Sequence, residues 1–179
     1  MLRKFKLGNV AAMGLMVVGI AVIPVESASA TAIEAELPHC AVEIFPVGQE
    51  ASSEAECFAT EAEVEAFLAG PPASESGGRA AAASVAVGTV YKDAGGTGGS
   101  LTFWGSSGCS AATFGFPTVP SGWDNAISSV RATNDCWATV YADASYGGSR
   151  LNCTPYCASI GARNDSVKSL VFRPTGTLG

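Results

Sequence analysis

The sequence contains a single histidine, His39, and little else that a hydrolytic enzyme would require. It has no Gly-x-Ser-x-Gly nucleophile motif, no His-Glu-x-x-His zinc motif and no glutamate pair of the glycosidase kind. His39 also lies far from the second half of the chain, which therefore has no histidine to act as a general base. We predict that the protein is not an enzyme.

Positive charge is also scarce, and charge is unevenly distributed. The chain carries 10 Lys and Arg against 16 Asp and Glu, which gives a formal net charge of -6. Every glutamate lies at or before Glu75, and every aspartate lies at or after Asp93. No part of the chain is basic enough to bind nucleic acid through its phosphates. The division of acidic residue types indicates two parts with different roles.

Long apolar runs are absent except near the N-terminus. Three basic residues among the first six precede an apolar run over residues 10–24, and Ala28-Ser29-Ala30 gives the small-x-small pattern of a cleavage point. The run is short for a membrane anchor, and no stop-transfer charge follows it. We predict a signal peptide over residues 1–30, a secreted protein, and no membrane association after the signal is removed.

Six cysteines follow that segment, and an even number in an exported chain indicates disulfides. Sequence alone leaves fifteen pairings open. Proximity and segment boundaries favour one of them, in which Cys40 pairs with Cys57, Cys109 with Cys136, and Cys153 with Cys157. The spacing of the last pair also suits zinc, but it lacks a neighbouring histidine or a second close pair, so a disulfide is preferred.

Residues 31–70 form an acidic segment that reads as a small α+β element. The alternation of residues 41–45 indicates a half-buried strand, and Thr60 and Glu63 have the spacing of a helix-capping box. Residues 71–83 have the composition of a linker. Such a segment is too small to hold a core, which a Cys40–Cys57 disulfide would offset. We interpret the segment as a pro-segment. A small partner-binding module and a solvated appendage are the alternatives.

The remainder, residues 84–179, repeats one pattern twice. Residues 89–94 return 50 positions later as residues 139–144, and residues 124–129 are echoed 40 positions later by residues 164–169. Short β-branched and aromatic runs alternate with Gly, Ser, Asn and Asp clusters, as strands alternate with turns. We predict an all-β domain in which two Greek-key halves pack face to face.

Two motifs within this domain resemble the signatures of βγ-crystallin domains. Residues 141–148, Tyr-Ala-Asp-Ala-Ser-Tyr-Gly-Gly, match the hairpin signature, and residues 124–129, Asp-Asn-Ala-Ile-Ser-Ser, match the loop signature. The first hairpin matches in part, because Gly96 stands where a second aromatic residue is expected. The resemblance implies a double Greek-key sandwich, here preceded by the acidic segment, in a protein that we expect to be monomeric.

In βγ-crystallin domains the two loops lie side by side and form two calcium sites. The resemblance assigns ligands by position. These are the carboxylate of Asp124, the carbonyl of Ala126, the hydroxyl of Ser128, the side chain of Asn164 and the carbonyl of Ser166. Oxygen ligands of this kind suit a hard cation such as Ca²⁺.

Lys168 departs from the loop pattern, which asks for Ser or Thr at that position. An ammonium group has no acceptor and repels a dication. The resemblance therefore implies one Ca²⁺ site and an impaired second site. The alternative is that the loops bind no metal and only hold the hairpins. By position, Ser129 and Ser169 are expected to hold the hairpins in either case.

Small secreted bacterial inhibitors of metalloproteases resemble the same region in fold, size and disulfide use. That resemblance would make a secreted protease the partner, with residues 106–121 as the best candidate for an inhibitory loop. The alternative is that residues 106–121 merely form a long connection between strands. The first function we expect is a stable calcium-binding extracellular module, the second a metalloprotease inhibitor, and the third a small secreted toxin.

Overall fold

The computed structural model describes residues 38–49, 53–70, 84–110 and 112–179. The predicted signal peptide (1–30) and linker (71–83) lie outside these ranges. Within them the elements are β1 (His39–Glu43), β2 (Phe45–Pro46), β3 (Glu56–Phe58), α1 (Glu61–Ala69), β4 (Val85–Asp93), β5 (Thr97–Gly105), β6 (Phe114–Phe116), β7 (Ser129–Ala132), β8 (Cys136–Tyr141), β9 (Arg150–Cys153), β10 (Tyr156–Cys157), a 3-10 turn (Gly161–Arg163) and β11 (Ser169–Pro174).

The strands form two sheets, and the two halves of the repeat exchange one strand between them. The first sheet has the order β10-β7-β4-β5-β1-β3, and the second has the order β2-β6-β11-β8-β9. Strand β6 of the first half thus lies in the second sheet, while β10 of the second half lies in the first. Each half is a Greek key completed by this exchange. The predicted all-β sandwich of two Greek-key halves is confirmed.

Apolar side chains from both sheets meet in one core, because alternate residues along each strand face inward. The ring centroid of Phe103 on β5 lies 5.4 Å from that of Phe116 on β6 and 5.6 Å from that of Phe172 on β11. The repeated valines Val90 and Val140 are fully buried at equivalent places in the two halves. The symmetry seen in the sequence is therefore a symmetry of packing.

The acidic segment is built into this sandwich. Strand β1 pairs in parallel with β5 and antiparallel with β3, and β2 pairs with β6 in the other sheet. Val42 and Ile44 are 0% and 1% exposed and belong to the common core. The described residues of this segment, 38–49 and 53–70, belong to the same compact unit as the rest of the described chain. The reason is that the apolar face of β1 completes the sandwich core.

Helix α1 begins where the capping box predicted. The Thr60 N–H donates to Glu63 Oε2 at 2.9 Å, and the Glu63 N–H donates to Thr60 Oγ1 at 3.2 Å. Val64 is buried, and the ring centroid of Phe67 lies 5.3 Å from that of Phe58 on β3. The helix ends at Gly70, whose φ of 71° is a backbone conformation that favours glycine. No helix within the described ranges has both the length and the apolar character needed to span a bilayer.

The three disulfides that sequence proximity favours are confirmed. Cys40–Cys57 joins β1 to β3, with an S–S distance of 2.06 Å. Cys109–Cys136 ties the connection after β5 to the start of β8, at 2.00 Å. Cys153–Cys157 closes a short loop between β9 and β10, at 2.11 Å. Because β9 and β10 lie in different sheets, this last disulfide stands where the chain crosses between sheets.

Candidate functional sites

The two motif loops lie side by side. The Asn125 N–H donates to the Val167 carbonyl at 3.3 Å, and the Asp165 N–H donates to the Ile127 carbonyl at 3.2 Å. The two bonds are related by the repeat, since each runs from the second residue of one loop to the fourth residue of the other. The adjacency implied by the resemblance is confirmed.

Serine hydroxyls at the sixth loop position hold the two hairpins. Ser129 Oγ donates to the Asp93 carbonyl at 2.6 Å and accepts from the Gly96 N–H at 3.0 Å. Ser169 Oγ makes the same pair of bonds, to the Asp143 carbonyl at 2.6 Å and from the Tyr146 N–H at 3.0 Å. Both serines are fully buried. The predicted hairpin-holding role of these two residues is confirmed.

The fifth loop position differs between the halves as the sequence indicates. The Ser128 N–H donates to the Tyr91 carbonyl and the Lys168 N–H donates to the Tyr141 carbonyl, both at 2.9 Å. The Ser128 hydroxyl also donates to the Lys92 carbonyl at 2.6 Å. This bond uses the hydroxyl hydrogen and leaves oxygen lone pairs for a cation. Lys168 supplies no such oxygen, because an ammonium group has no acceptor.

The other candidate ligands lie on the same exposed rim. Asp124 is exposed and Ala126 is half-buried. In the second loop, Asn164 Nδ2 donates to Asp165 Oδ2 at 2.7 Å, which leaves the Asn164 amide oxygen free of that bond. The Ser166 hydroxyl donates to the Arg163 carbonyl at 2.9 Å. Among the described residues, no group of three or more His, Cys, Asp and Glu could hold a metal ion. A cation here would therefore depend on isolated carboxylates such as Asp124 together with hydroxyl, amide and carbonyl oxygens.

Residues 106–121 are largely irregular, as the sequence indicates, but several of them are buried. The stretch contains strand β6, whose three residues are all buried between neighbouring elements of the second sheet. Cys109 and Val119 are buried as well, and the Val119 N–H donates to the Lys168 carbonyl at 2.9 Å. Strand β6 was missed because it is short and has a glycine at its centre. The stretch is therefore anchored to the sandwich at β6, Cys109 and Val119.

A disulfide-closed loop presents a more exposed and better fixed surface. In the loop Cys153–Cys157, Thr154 and Pro155 are exposed and Tyr156 is 38% exposed. The Ala132 N–H donates to the Pro155 carbonyl at 2.8 Å, which fixes the loop to the end of β7. The Thr154–Pro155 peptide bond is cis. Sequence analysis predicted this disulfide without assigning the loop a function, although the proline between close cysteines was an available signal.

Contacts with the first sheet and the first hairpin hold the loop in place. The guanidinium carbon of Arg131 lies 4.6 Å from the centroid of the Tyr156 ring. Just beyond the loop, the Gly95 N–H of the first hairpin donates to the Ala158 carbonyl at 2.6 Å. Nearby, burial raises the pKa of the Tyr91 phenol, and the Glu61 carboxylate raises it further. The Tyr91 phenol is consequently neutral at physiological pH.

His39 has polar neighbours, but their geometry differs from that of a catalytic triad. His39 Nδ1 lies 2.8 Å from Ser100 Oγ and 3.9 Å from Glu61 Oε1. In a Ser-His-acid triad the serine and the carboxylate bond opposite nitrogens of the ring, whereas here both face the same nitrogen. Ser100 is also only 1% exposed. The contact instead joins β1, β5 and the start of α1.

Comparison with known proteins gives one match to a family. Residues 90–154 match peptidase inhibitor family I36. The matched stretch runs from β4 to the start of the disulfide-closed loop and contains the Cys109–Cys136 disulfide. No curated protein matches the sequence.

Solved structures of βγ-crystallins resemble about half of the chain. A βγ-crystallin domain from Flavobacterium johnsoniae is 26% identical, over 51% of this chain and 99% of its own, with a TM-score of 0.37. A βγ-crystallin from an archaeon is 23% identical, over 50% and 98%, with a TM-score of 0.37. A βγ-crystallin from Ciona intestinalis is 16% identical, over 49% and 98%, also with a TM-score of 0.37. Both resemblances noted in the sequence, to βγ-crystallin domains and to peptidase inhibitors, are thus found again.

Proposed function

We propose that the protein is a secreted, non-catalytic inhibitor of a peptidase, and that the loop Cys153–Cys157 occupies the cleft of its target. The observation that carries this proposal is the match of residues 90–154 to peptidase inhibitor family I36. Secretion accords with three disulfides, which persist in oxidising compartments. As in the sequence analysis, we take a secreted metalloprotease as the target class.

The geometry of the loop supports an inhibitory role. Its ends are joined by a disulfide, its middle is bound at the Pro155 carbonyl, and its last exposed side chain, Tyr156, stacks with Arg131. A segment that is already fixed loses little conformational freedom when it enters a cleft, so more of the contact energy appears as affinity. Tyr and Arg are also the residue types that most often anchor protein interfaces.

Two exposed threonines allow a matched test of the loop assignment. Thr154 lies in the disulfide-closed loop, and Thr118 lies in residues 106–121, the stretch that the sequence favours. Each is exposed and adjoins a proline, so an arginine at either position tests its loop with the same substitution. We expect the full-length protein to inhibit a thermolysin-like metalloprotease stoichiometrically. Thr154→Arg should weaken inhibition by about tenfold or more, which corresponds to about 1.4 kcal/mol.

Thr118→Arg should leave inhibition unchanged. The opposite pattern would move the inhibitory surface to residues 106–121. A wild-type protein that inhibits neither metalloproteases nor serine and cysteine peptidases, tested at micromolar concentration, would refute the proposed function.

We further propose that the first motif loop binds one Ca²⁺ through Asp124, the Ala126 carbonyl and Ser128. The observation that favours this second role is the buried Ser128 hydroxyl, which donates its hydrogen to the Lys92 carbonyl and keeps its lone pairs. Bound Ca²⁺ would add a charge that draws these oxygens together and would stiffen the rim of the sandwich. With a single carboxylate in the first loop, affinity is expected at roughly the 10⁻⁴–10⁻³ M of extracellular modules.

A further inference from the structure

The two halves of the sandwich differ in where a tyrosine is placed. In the hairpins, Gly96 of the first half is equivalent to Tyr146 of the second, 50 positions later. In the exchanged strands, Gly115 on β6 pairs with Val171, and Tyr156 on β10 pairs with Arg131. Arg131 and Val171 stand 40 positions apart, like the motif loops. Gly115 and Tyr156 are therefore equivalent as well.

In the second half, the hairpin carries the tyrosine and the exchanged strand carries the glycine. The ring centroid of Tyr146 lies 6.0 Å from that of Tyr141, at an interplanar angle of 64°. A side chain at Gly115 would clash with the Tyr146 phenol. The Tyr146 ring therefore lies over the glycine of β6, beside the hairpin tyrosine.

In the first half, the equivalent space is occupied by a tyrosine of the exchanged strand instead of one from the hairpin. A Cβ on Gly96 would lie 3.4 Å from Tyr156 Oη, 3.6 Å from Arg131 Nη2 and 3.7 Å from Tyr91 Cε2. Here the exchanged strand supplies the tyrosine, and the hairpin supplies the glycine beneath it. Tyr91 takes the part that Tyr141 plays in the second half.

The two hairpin positions share a φ region and an N–H partner. Gly96 has a φ of 74° and Tyr146 a φ of 63°, both in the left-handed region. Each N–H donates to the buried serine of its own half at 3.0 Å. A tyrosine can evidently be held in this conformation, so turn geometry alone does not require glycine at position 96. A side chain longer than Cβ at position 96 would extend toward the Tyr156 ring, whose Oη lies 3.4 Å from where that Cβ would stand.

We propose that the first half carries the glycine in its hairpin (Gly96) and the tyrosine in its exchanged strand (Tyr156), the reverse of the second half and hence an exchange of glycine and tyrosine between hairpin and strand. Gly96 is thereby the positioning residue of the disulfide-closed loop. Glycine at position 96 leaves room for the Tyr156 ring beside Tyr91 and Arg131. When the Tyr156 ring packs in this space, Thr154 and Pro155 of the same loop are exposed to solvent. The structural part of this inference stands without the proposed function, and its effect on inhibition rests on that function.

A double-mutant cycle tests the exchange directly. Gly96→Tyr puts two tyrosines in one place, and Tyr156→Gly leaves that place empty. We expect each single variant to lower the melting temperature by about 4 °C or more. The double variant Gly96→Tyr/Tyr156→Gly recreates the arrangement of the second half and should recover at least half of the summed loss, because neighbours that share one site are not additive.

Gly95 supplies the matched control. It has a φ of 80°, and the space around its Cβ is open. Gly95→Tyr therefore introduces the same residue into the same hairpin without competing with Tyr156. The variant Gly95→Tyr/Tyr156→Gly should show no recovery. Additive losses in the Gly96 cycle, or equal recovery in the Gly95 cycle, would overturn the exchange.

Two further measurements connect the exchange to the loop. The Ala132 amide, which donates to the Pro155 carbonyl, should exchange its hydrogen about tenfold faster in Gly96→Tyr than in the wild type, because the loop can no longer seat. Unchanged exchange in Gly96→Tyr would overturn the positioning role. Inhibition should weaken in Gly96→Tyr and remain weak in the stable double variant. If the wild type inhibits no peptidase, the cycle and the amide exchange still decide the inference, and only the proposed function fails.

Discussion

At the scale of single residues, one buried serine hydroxyl holds the hairpin of each half. Ser129 and Ser169 each accept one hydrogen bond from a hairpin amide and donate another to a hairpin carbonyl. Both side chains are 0% exposed, so neither water nor another polar group can replace them. The sharp turns of the two hairpins depend on these bonds.

Replacing either serine by alanine should destabilise the protein. Ser129→Ala and Ser169→Ala each remove both hydrogen bonds of a fully buried hydroxyl and leave a hairpin amide and a hairpin carbonyl without that partner, at a cost of about 1–3 kcal/mol. Ser166→Ala is the control, because its hydroxyl bonds only to the nearby Arg163 carbonyl and is partly buried. Urea unfolding of the three variants measures the differences. A loss in Ser166→Ala as large as in the other two would contradict this role.

The proposed calcium site makes a residue-scale prediction about Lys168. Lys168→Ser restores the motif residue of the second loop and should increase the rise in melting temperature that millimolar Ca²⁺ produces over chelator. Ser128→Ala should abolish the rise in the wild-type background. Equal melting temperatures with Ca²⁺ and with chelator in wild type, Ser128→Ala and Lys168→Ser would show that the loops are purely structural.

The serine bonds could be predicted because they belong to a local, repeated motif. The six-residue loop contains both the ligand candidates and the hairpin-holding residue, so their relation is visible in sequence. The pairing of Gly96 with Tyr156 could not be predicted. The two residues come together only through the strand exchange, and the sequence shows merely that an aromatic residue is missing at position 96.

At the scale of elements, strand length decided what could be predicted. The longer strands β4, β5 and β8 lie in the region whose β-branched and aromatic runs predicted an all-β domain. Strands β6 and β10, of three and two residues, are too short for any period to show, yet they are the strands that the halves exchange. The halves were therefore recognised from the sequence, while the way they interlock required the structure.

At the scale of elements, removing each of two disulfides should affect stability and inhibition in opposite order. Loop-closure entropy predicts a cost of about 2 kcal/mol for opening the short Cys153–Cys157 loop and about 3.5 kcal/mol for opening Cys109–Cys136. Paired serine substitutions at each disulfide, followed by urea unfolding and inhibition assays, test this order. The Cys153/Cys157 variant should lose less stability but more inhibition. A variant without Cys153–Cys157 that inhibits as well as wild type would show that the closed loop is not the inhibitory surface.

At the scale of the whole molecule, the acidic segment connects the edges of both sheets. Strand β1 continues the first sheet beyond β5, and after Ile44 the chain enters the second sheet as β2 beside β6. Sequence analysis could predict the strand and the helix of this segment from local patterns. It could not predict where the strand docks, because parallel pairing leaves no turn signal and its partner lies far along the chain.

The fragment 84–179 should therefore be much less stable than residues 31–179. The fragment exposes the core that Val42 and Ile44 cover and leaves the edges of β5 and β6 unpaired. We expect its melting temperature to be lower by about 10 °C or more. Val42→Ala in the longer chain measures the packing contribution alone and should cost about 1–3 kcal/mol. Equal melting temperatures for the fragment and the longer chain would show that the segment is dispensable to the fold.

The parallel pairing of β1 with β5 also bears on the order of folding. His39 and Ser100, whose side chains meet across this pair, are 61 residues apart in the chain. Closing so large a loop costs entropy before its contacts can compensate, whereas the β4–β5 hairpin closes over a tight turn. We expect the hairpins to form early and β1 to dock late, onto an edge that is already in place. Strand β1, although synthesised before β5, would then reach its native position after it.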